Sequence, residues 1–427
     1  MTTMDSSALR RRYVVLTALT WLPVGLTLAV GVLMMTSRGL GLAEVGLVFV
    51  IHSVVVTVLE LPTGGIADLI GRRGVLAVSA ATGAVALVWI AMATTLWEFI
   101  AITVLRGIAR ALSSGPAEAW YVDAVHATDP DAPIRGGLAA GEATGSIVLG
   151  IGTILGGLMP IVFPPTGNGL LVPLSIPMLV AAGCYLALLL TALLGMPEPS
   201  RSGPTPRLLA LIREVPSTIA DGIRLGFRSR VLAHVFATVA VVGVALNTVE
   251  LFTPVRIEEL TGDATGAATV YGVITAVGFA GSALGATLSG RLADALGSVV
   301  RTAVTGIGIA ATGLILLCAS GSMTGAAGLV ATAFGYSVMF AGIGFVGPVR
   351  SEIIHRQVTS RQRATVVSVQ SLVLQGGGAS AALVLPWLAP IITIQGVWAV
   401  SGVLLAASAL MYLRVRADFT NTVGVAP

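Results

Sequence analysis

Apolar residues gather along this chain in stretches of about the length needed to cross a bilayer, separated by short polar segments. Twelve such stretches run roughly over 14–36, 45–66, 75–95, 98–122, 136–160, 170–194, 231–254, 266–289, 302–320, 325–347, 364–388 and 391–413. A transmembrane helix needs ~20 mostly apolar residues to cross ~30 Å of hydrocarbon. The short alternating apolar and polar segments of a membrane β-barrel are missing. The pattern predicts an all-helical polytopic membrane protein with twelve transmembrane helices. Six spans fall before residue 195 and six after residue 230. The intervening Pro197, Pro199, Gly203, Pro204 and Pro206 break any continuing helix.

A polar hairpin repeats at about half the chain length. Gly64-Gly65-Ile66-Ala67-Asp68-Leu69-Ile70-Gly71-Arg72-Arg73 is echoed 226 residues later by Gly290-Arg291-Leu292-Ala293-Asp294-Ala295-Leu296-Gly297. Gly115-Pro116 likewise recurs as Gly347-Pro348, and Glu142 is mirrored by Gln370. Such duplication predicts two pseudo-symmetric six-helix bundles, 1–195 and 231–427, with the working site between the halves. Within the linking segment 196–230, Leu208, Leu211, Ile212, Val215, Ile219, Ile223 and Phe227 recur at helical spacing against charged residues. An amphipathic helix lying on the lipid surface is expected there.

Composition sharpens the picture: the chain is 55% hydrophobic and 10% charged, with a mean hydropathy of +0.94. Soluble domains carry about a quarter charged residues. All 24 basic residues are arginine, and about 19 of them fall in segments that share one side if the N-terminus is cytoplasmic. Arg38 and Arg256 lie at the opposite ends. This asymmetry orients both termini to the cytoplasm. The net charge of +4 is therefore topological and gives no ground for nucleic-acid binding. Cys184 and Cys318 sit inside apolar runs and offer neither a disulfide framework nor metal-ligand spacing. The four histidines form no metal cluster, and no phosphate-binding loop or nucleophile motif is present. No cofactor, no metal and no enzymatic activity are expected.

Ionisable groups inside a bilayer are costly, and each is a functional candidate. Glu142, two turns into the fifth span, adjoins a stripe of Gly141, Gly145, Gly152 and Gly156 that permits close helix approach. It is the first candidate for a coupling proton; a fixed salt bridge to Arg106 or Arg110 is the alternative. Arg106 and Arg110 are one turn apart and share a helix face. Arg110 is expected to neutralise Glu118 or Glu142, or to bind an anionic substrate group. Glu60 precedes Pro62 and stands two turns from Asp68, either lining the cavity or anchoring a gate. Asn247 and Glu250, just ahead of Pro254, make a polar lining, because proline frees a backbone carbonyl. His52 and Gln370 complete the cavity candidates. Gly376-Gly377-Gly378 permits bending or close packing.

The first hairpin resembles the signature loop of the major facilitator superfamily, with Gly64, Asp68, Gly71, Arg72 and Arg73 all matching; the second copy has Ser298 in place of the arginine. The resemblance covers essentially the whole chain and implies two six-helix bundles that rock about a central cavity. It also implies a charge relay of Asp68, Arg72 and Asp123 that biases the rocker, with Asp294 the weaker counterpart. Leu105-Arg106-Gly107-Ile108-Ala109-Arg110 resembles the helix-4 arginine motif of bacterial proton-coupled drug efflux antiporters, with Ala109 replacing a glycine. Gly152-Thr153-Ile154-Leu155-Gly156-Gly157 resembles their helix-5 motif, with Thr153 replacing proline. The resemblance assigns Arg106 to assisting proton transfer.

The resulting expectation is a monomeric secondary transporter of the bacterial inner membrane, exporting small amphipathic molecules against a flow of protons. Its partners are the lipid bilayer, a small-molecule substrate and protons, and the proton gradient is its energy source. A proton-linked importer or facilitator of a polar metabolite is the nearest alternative, and a non-transporting sensor or scaffold on the same fold the next.

Overall fold

The structure, a computed structural model, describes residues 6–130, 132–163, 169–197, 229–358 and 363–423, without the side chains of residues 6, 61–69, 363–365 and 416–423. The amphipathic linker thus falls outside the described residues. The helices, in chain order, are α1 (Ser6–Leu28), α2 (Gly31–Ser37), α3 (Leu42–Ile70), α4 (Arg72–Met92), α5 (Leu96–Ser113), α6 (Pro116–His126), α7 (Arg135–Val162), α8 (Ser175–Gly195), α9 (Arg230–Thr261), α10 (Ala264–Leu296), α11 (Val299–Ser320), α12 (Gly325–Gln357) and α13 (Arg363–Val423). Among the described residues there is no strand.

Among the described residues, nine helices are long and apolar enough to cross a membrane, or ten if α1 and α2 count together. The first apolar run is bent by 41° between those two helices. The run 98–122 is likewise divided. Gly115 takes a φ of 94° and Pro116 opens the next helix, a combination of left-handed backbone and missing N–H that ends one helix and starts another. At 61 residues α13 far exceeds one bilayer crossing. It contains both of the last two apolar runs and departs from helical geometry at Thr393, with φ 65° and ψ 167°.

Contacts group the chain into two compact units, Met1–Leu40 with Val54–Val215, and Gly41–Ser53 with Pro216–Pro427. The first part of α3 thus groups with the later helices, which the apolar pattern alone does not indicate. In the first unit α1 packs on α7 and α8, and α4 on α5 and α8; in the second α9 packs on α13, and α12 on α10 and α11.

Glycine decides how closely these helices approach. A Cβ on Gly25 would lie 2.6 Å from the Leu149 carbonyl oxygen, and one on Gly152 3.2 Å from that of Leu22. The second unit repeats the arrangement: Gly243 meets the Leu374 carbonyl at 2.1 Å and Gly377 that of Ala240 at 2.0 Å. Backbones touch where side chains are absent. These contacts set the register of the duplication at 218 residues for α1 against α9 and 225 for α7 against α13. The same 218-residue step relates Arg38, which donates to the Leu170 carbonyl, to Arg256, which donates to those of Gly321 and Met323. The sequence pairing of Glu142 with Gln370 is therefore corrected. In the packing register Gln370 corresponds to Gly145, and Glu142 to Val367.

Candidate functional site

In the first unit, residues one turn apart on α1 face glycines one turn apart on α7. Tyr13 stacks on Tyr121 of α6, with centroids 4.8 Å apart and rings inclined by 16°. A Cβ on Gly137 would fall 2.0 Å from the Tyr121 hydroxyl, and one on Gly141 2.4 Å from the Tyr13 ring. One turn further along, Gly145 leaves room for Trp21. The guanidinium of Arg110 lies over the Trp21 ring, 5.1 Å from its centroid. A cation on an aromatic face gains about 0.5–2 kcal/mol, most where water is excluded.

Glu142 is adjacent to this stripe and exposed. Its carboxylate and that of Glu118, also exposed, both lie within electrostatic reach of Tyr13. Among the described residues neither carboxylate takes part in a hydrogen bond or ion pair. The fixed bridge from Arg110 to Glu142 or Glu118 is not formed; Arg110 is committed to Trp21 instead. Arg106 and Arg110 are both within electrostatic reach of Tyr185 on α8. That ring rests against α4, where a Cβ on Gly83 would be 2.9 Å from it.

The two polar hairpins share a backbone feature. Gly71 has φ 93° and Gly297 φ 60°, conformations that glycine adopts without a Cβ clash. Immediately after the first turn, Arg72 Nη1 reaches Asp123 Oδ2 at 2.7 Å. Arg73 is exposed. Gly64 and Asp68 lie on the helical backbone of α3, and their side-chain positions fall outside the described residues. Asp294 is exposed, and its carbonyl accepts the Gly297 N–H at 3.2 Å. Glu60 and His52 are half-buried on α3, as Gln370 is on α13.

The second unit has its own polar and aromatic cluster. Tyr271 of α10 meets Tyr336 of α12 edge-on at 6.2 Å, and Tyr336 stacks on Phe340 at 4.7 Å. Phe279 adds an edge contact to Phe340 at 5.7 Å. Glu250 of α9 lies within electrostatic reach of both phenols. Asn247 Oδ1 and Thr253 Oγ1, on the same helix, are buried without a hydrogen-bond partner among the described residues. A cavity of about 620 Å³ elsewhere in this unit, bordered by Gly41, Glu259, Pro386, Trp387 and Gln395, holds none of the sequence candidates.

The family model described as Major Facilitator Superfamily matches residues 13–343. The chain belongs to the Major Facilitator Superfamily. Solved major facilitator structures resemble it over nearly its full length. A variant of the nucleoside transporter NupG is 15% identical with a TM-score of 0.77, covering 95% of this chain and 99% of its own. A proton-dependent oligopeptide transporter is 13% identical with a TM-score of 0.72, over 97% of this chain and 100% of its own. A POT family transporter in complex with 5-aminolevulinic acid is 14% identical with a TM-score of 0.70, over 96% and 97%. At these identities the likeness is one of fold. No curated protein matches the chain. This major facilitator protein is a membrane transporter.

The apolar pattern did not single out the aromatic residues of either cluster. Tyr13, Thr17 and Trp21 at four-residue spacing on α1, with Gly141 and Gly145 against them at the same spacing on α7, were the available signal. Arg350 also went unread, although the Gly115-Pro116 repeat aligns it with Glu118. Its Nε and the buried Tyr412 hydroxyl both lack hydrogen-bond partners among the described residues.

Proposed function

We propose that this transporter exports small amphipathic organic molecules in exchange for protons, by rocker-switch alternating access. Twelve spans, obtained by counting α13 as two and α5 with α6 as one, belong to this reading, as does a bacterial inner-membrane location with both termini cytoplasmic. Glu142 carries the coupling proton. The observation supporting that assignment is an exposed carboxylate beside the glycine stripe of α7 with no ion-pair or hydrogen-bond partner among the described residues, near a second acid and a tyrosine. A carboxylate locked to an arginine would be committed to that ion pair, whereas Glu142 is held by no such pair among the described residues. Arg106 assists that transfer, and Asp68, Arg72 and Asp123 bias the rocker. Arg110, held over Trp21, fixes the arginine face against which the carboxylate works.

A second reading, a proton-linked importer or facilitator of a polar metabolite, draws on the nucleoside and proton-dependent oligopeptide transporters among the similar structures. Proteoliposomes with an internal pH indicator separate the two. Under the export reading, an amphipathic compound placed inside drives proton entry as it leaves, and Glu142→Gln abolishes the coupled signal while the protein remains folded. Substrate equilibration without proton movement refutes coupling. Co-directional movement of protons and a polar metabolite favours the importer.

A further inference from the structure

Arg350 of α12 is half-buried, and among the described residues its guanidinium makes no hydrogen bond and no ion pair. An arginine carries five N–H donors and accepts nothing, and one taken into a protein interior is ordinarily paired. Only Nε is sealed from solvent; the two Nη atoms, equally without partners, are open. The scaffold itself does not call for a cation at this place. The Gly115-Pro116 repeat puts Glu118, an exposed acid, at the equivalent position of the first unit.

Two other helices reach the same level. Ser229, the cap of α9, donates to Gln357 Oε1 at the end of α12 at 3.4 Å, and Leu260 meets Gly328 at the opposite ends of the two helices. These helices are therefore antiparallel, with His234 and Arg350 both about two turns or less inside that shared end. Thr238 Oγ1 donates to the Ser408 carbonyl of α13 at 3.3 Å, and Thr248 Oγ1 lies 3.0 Å from Ser401 Oγ. That pair of helices is antiparallel too, so Tyr412, one turn beyond Ser408, stands opposite His234 and at the level of Arg350. Tyr412 is 0% exposed, its hydroxyl has no hydrogen-bond partner among the described residues, and it lies within electrostatic reach of Arg350. A guanidinium and a phenol O–H, both unused, are donors to one kind of group, an oxyanion.

The surroundings decide which oxyanion. Leu410 and Leu413, flanking Tyr412, are 57% and 49% exposed, on a stretch of α13 apolar enough to cross a membrane. Arg414 and Arg230 are exposed close by on α13 and α9. Basic pockets between transmembrane helices take anionic lipid headgroups, and the chains of such a lipid need an adjoining apolar face. We propose that Arg350 and Tyr412 form a site for the phosphate of an anionic phospholipid. The open Nη atoms of Arg350 donate to the phosphate oxygens, and the guanidinium, in turning toward them, uncovers the Tyr412 hydroxyl as a further donor. The acyl chains lie along Leu410 and Leu413. The site is separate from Glu142 and does not depend on proton exchange.

The purified full-length protein in detergent, titrated with phosphatidylglycerol and with phosphatidylcholine of the same acyl chains, tests this by native mass spectrometry. Phosphatidylcholine carries its own ammonium group, which competes with Arg350 for the phosphate. Phosphatidylglycerol is expected to bind at least about tenfold more tightly. Arg350→Gln should bring the two lipids to within about twofold of each other, and Arg350→Lys should keep part of the preference. Tyr412→Phe, which keeps the ring, should weaken phosphatidylglycerol by about threefold or more. Arg414→Gln, at an exposed arginine of the same helix, should leave most of the preference in place. No preference in the wild type, an unchanged preference in a monodisperse Arg350→Gln protein, or equal losses from Arg350→Gln and Arg414→Gln would each overturn the site. Should Arg350→Gln fail to fold, unchanged phosphatidylglycerol affinity in Tyr412→Phe would overturn it instead. Inorganic phosphate at the concentration of the lipid separates the two sources of the group. Its displacing phosphatidylglycerol would show a free-phosphate site and refute the lipid assignment, whereas retention of the lipid upholds it.

Discussion

Arg72 Nη1 lies 2.7 Å from Asp123 Oδ2, tying the first residue of α4 to the α6 segment that follows Gly115. The contact is ionic; that N–H has no aligned hydrogen-bond acceptor. The two side chains are 27% and 62% exposed, so the pair adds little to stability, within about 1 kcal/mol. Its value under the proposed mechanism is conformational: the ion pair can be present in one arrangement of the chain and absent in another.

Asp123→Asn and Arg72→Gln are accordingly expected to slow turnover to similar extents with little change in KM. The exchanged double variant, Arg72→Asp with Asp123→Arg, should recover part of the lost rate. Counterflow in vesicles measures both quantities. A rise in KM at unchanged turnover would place the pair in substrate binding and contradict the gating role.

Arg110 and Trp21 predict an energetic coupling. The guanidinium over the indole, 5.1 Å from the ring centroid, should contribute about 1–2 kcal/mol where the site is shielded from water. A double-mutant cycle with Trp21→Leu and Arg110→Met, read by detergent unfolding, is expected to return a coupling energy in that range. Trp21→Phe should retain part of it. A coupling energy indistinguishable from zero would mean that the ring and the cation are neighbours without being partners.

Arg256 is 8% exposed and donates to Glu259 Oε2, the Gly321 carbonyl and the Met323 carbonyl, at 2.9, 3.2 and 2.8 Å. It therefore holds the turn after α11 against α9. Replacing it with methionine keeps much of the packing and leaves those acceptors unpaired, a loss of about 2–3 kcal/mol. Glu259→Gln, at the half-exposed end of the pair, should cost much less. Thermal unfolding in detergent compares the two; equal losses would show that the salt bridge, and not the capping of the turn, carries the effect.

Much of this molecule is legible from apolar run length, because a bilayer imposes one length on every span. Run length is silent on breaks that depend on a single backbone angle. Gly115 at φ 94° and Thr393 at φ 65° divide or bend helices inside apolar stretches, and apolar counting passes over both. The repeat was visible in Asp68 and Asp294, yet its register is set by backbone contacts between glycines distant in sequence, so Glu142 was paired with the wrong partner. The candidate acids and arginines were found because charge is rare in a membrane span. The aromatic rings that organise them, Tyr13, Trp21, Tyr185 and Tyr336, look in sequence like ordinary apolar positions. Only the glycines facing them set them apart.

The triplet Gly376-Gly377-Gly378 offers the most contained test of that packing. A Cβ on Gly377 would lie 2.0 Å from the Ala240 carbonyl oxygen, whereas one on Gly376 meets nothing within 4 Å and one on Gly378 only makes ordinary contact. Three adjacent glycines on one helix therefore differ in what surrounds them while sharing helix propensity and neighbours in sequence. Gly376→Ala is expected to be neutral or slightly stabilising, by up to about 1 kcal/mol, since alanine restricts the unfolded chain. Gly377→Ala must push α13 away from α9 and should cost about 1–3 kcal/mol. Detergent unfolding of the two variants, side by side, is the measurement. Equal tolerance at both positions would mean that α9 and α13 are not in backbone contact, and the 225-residue register that depends on the contact would fall with it.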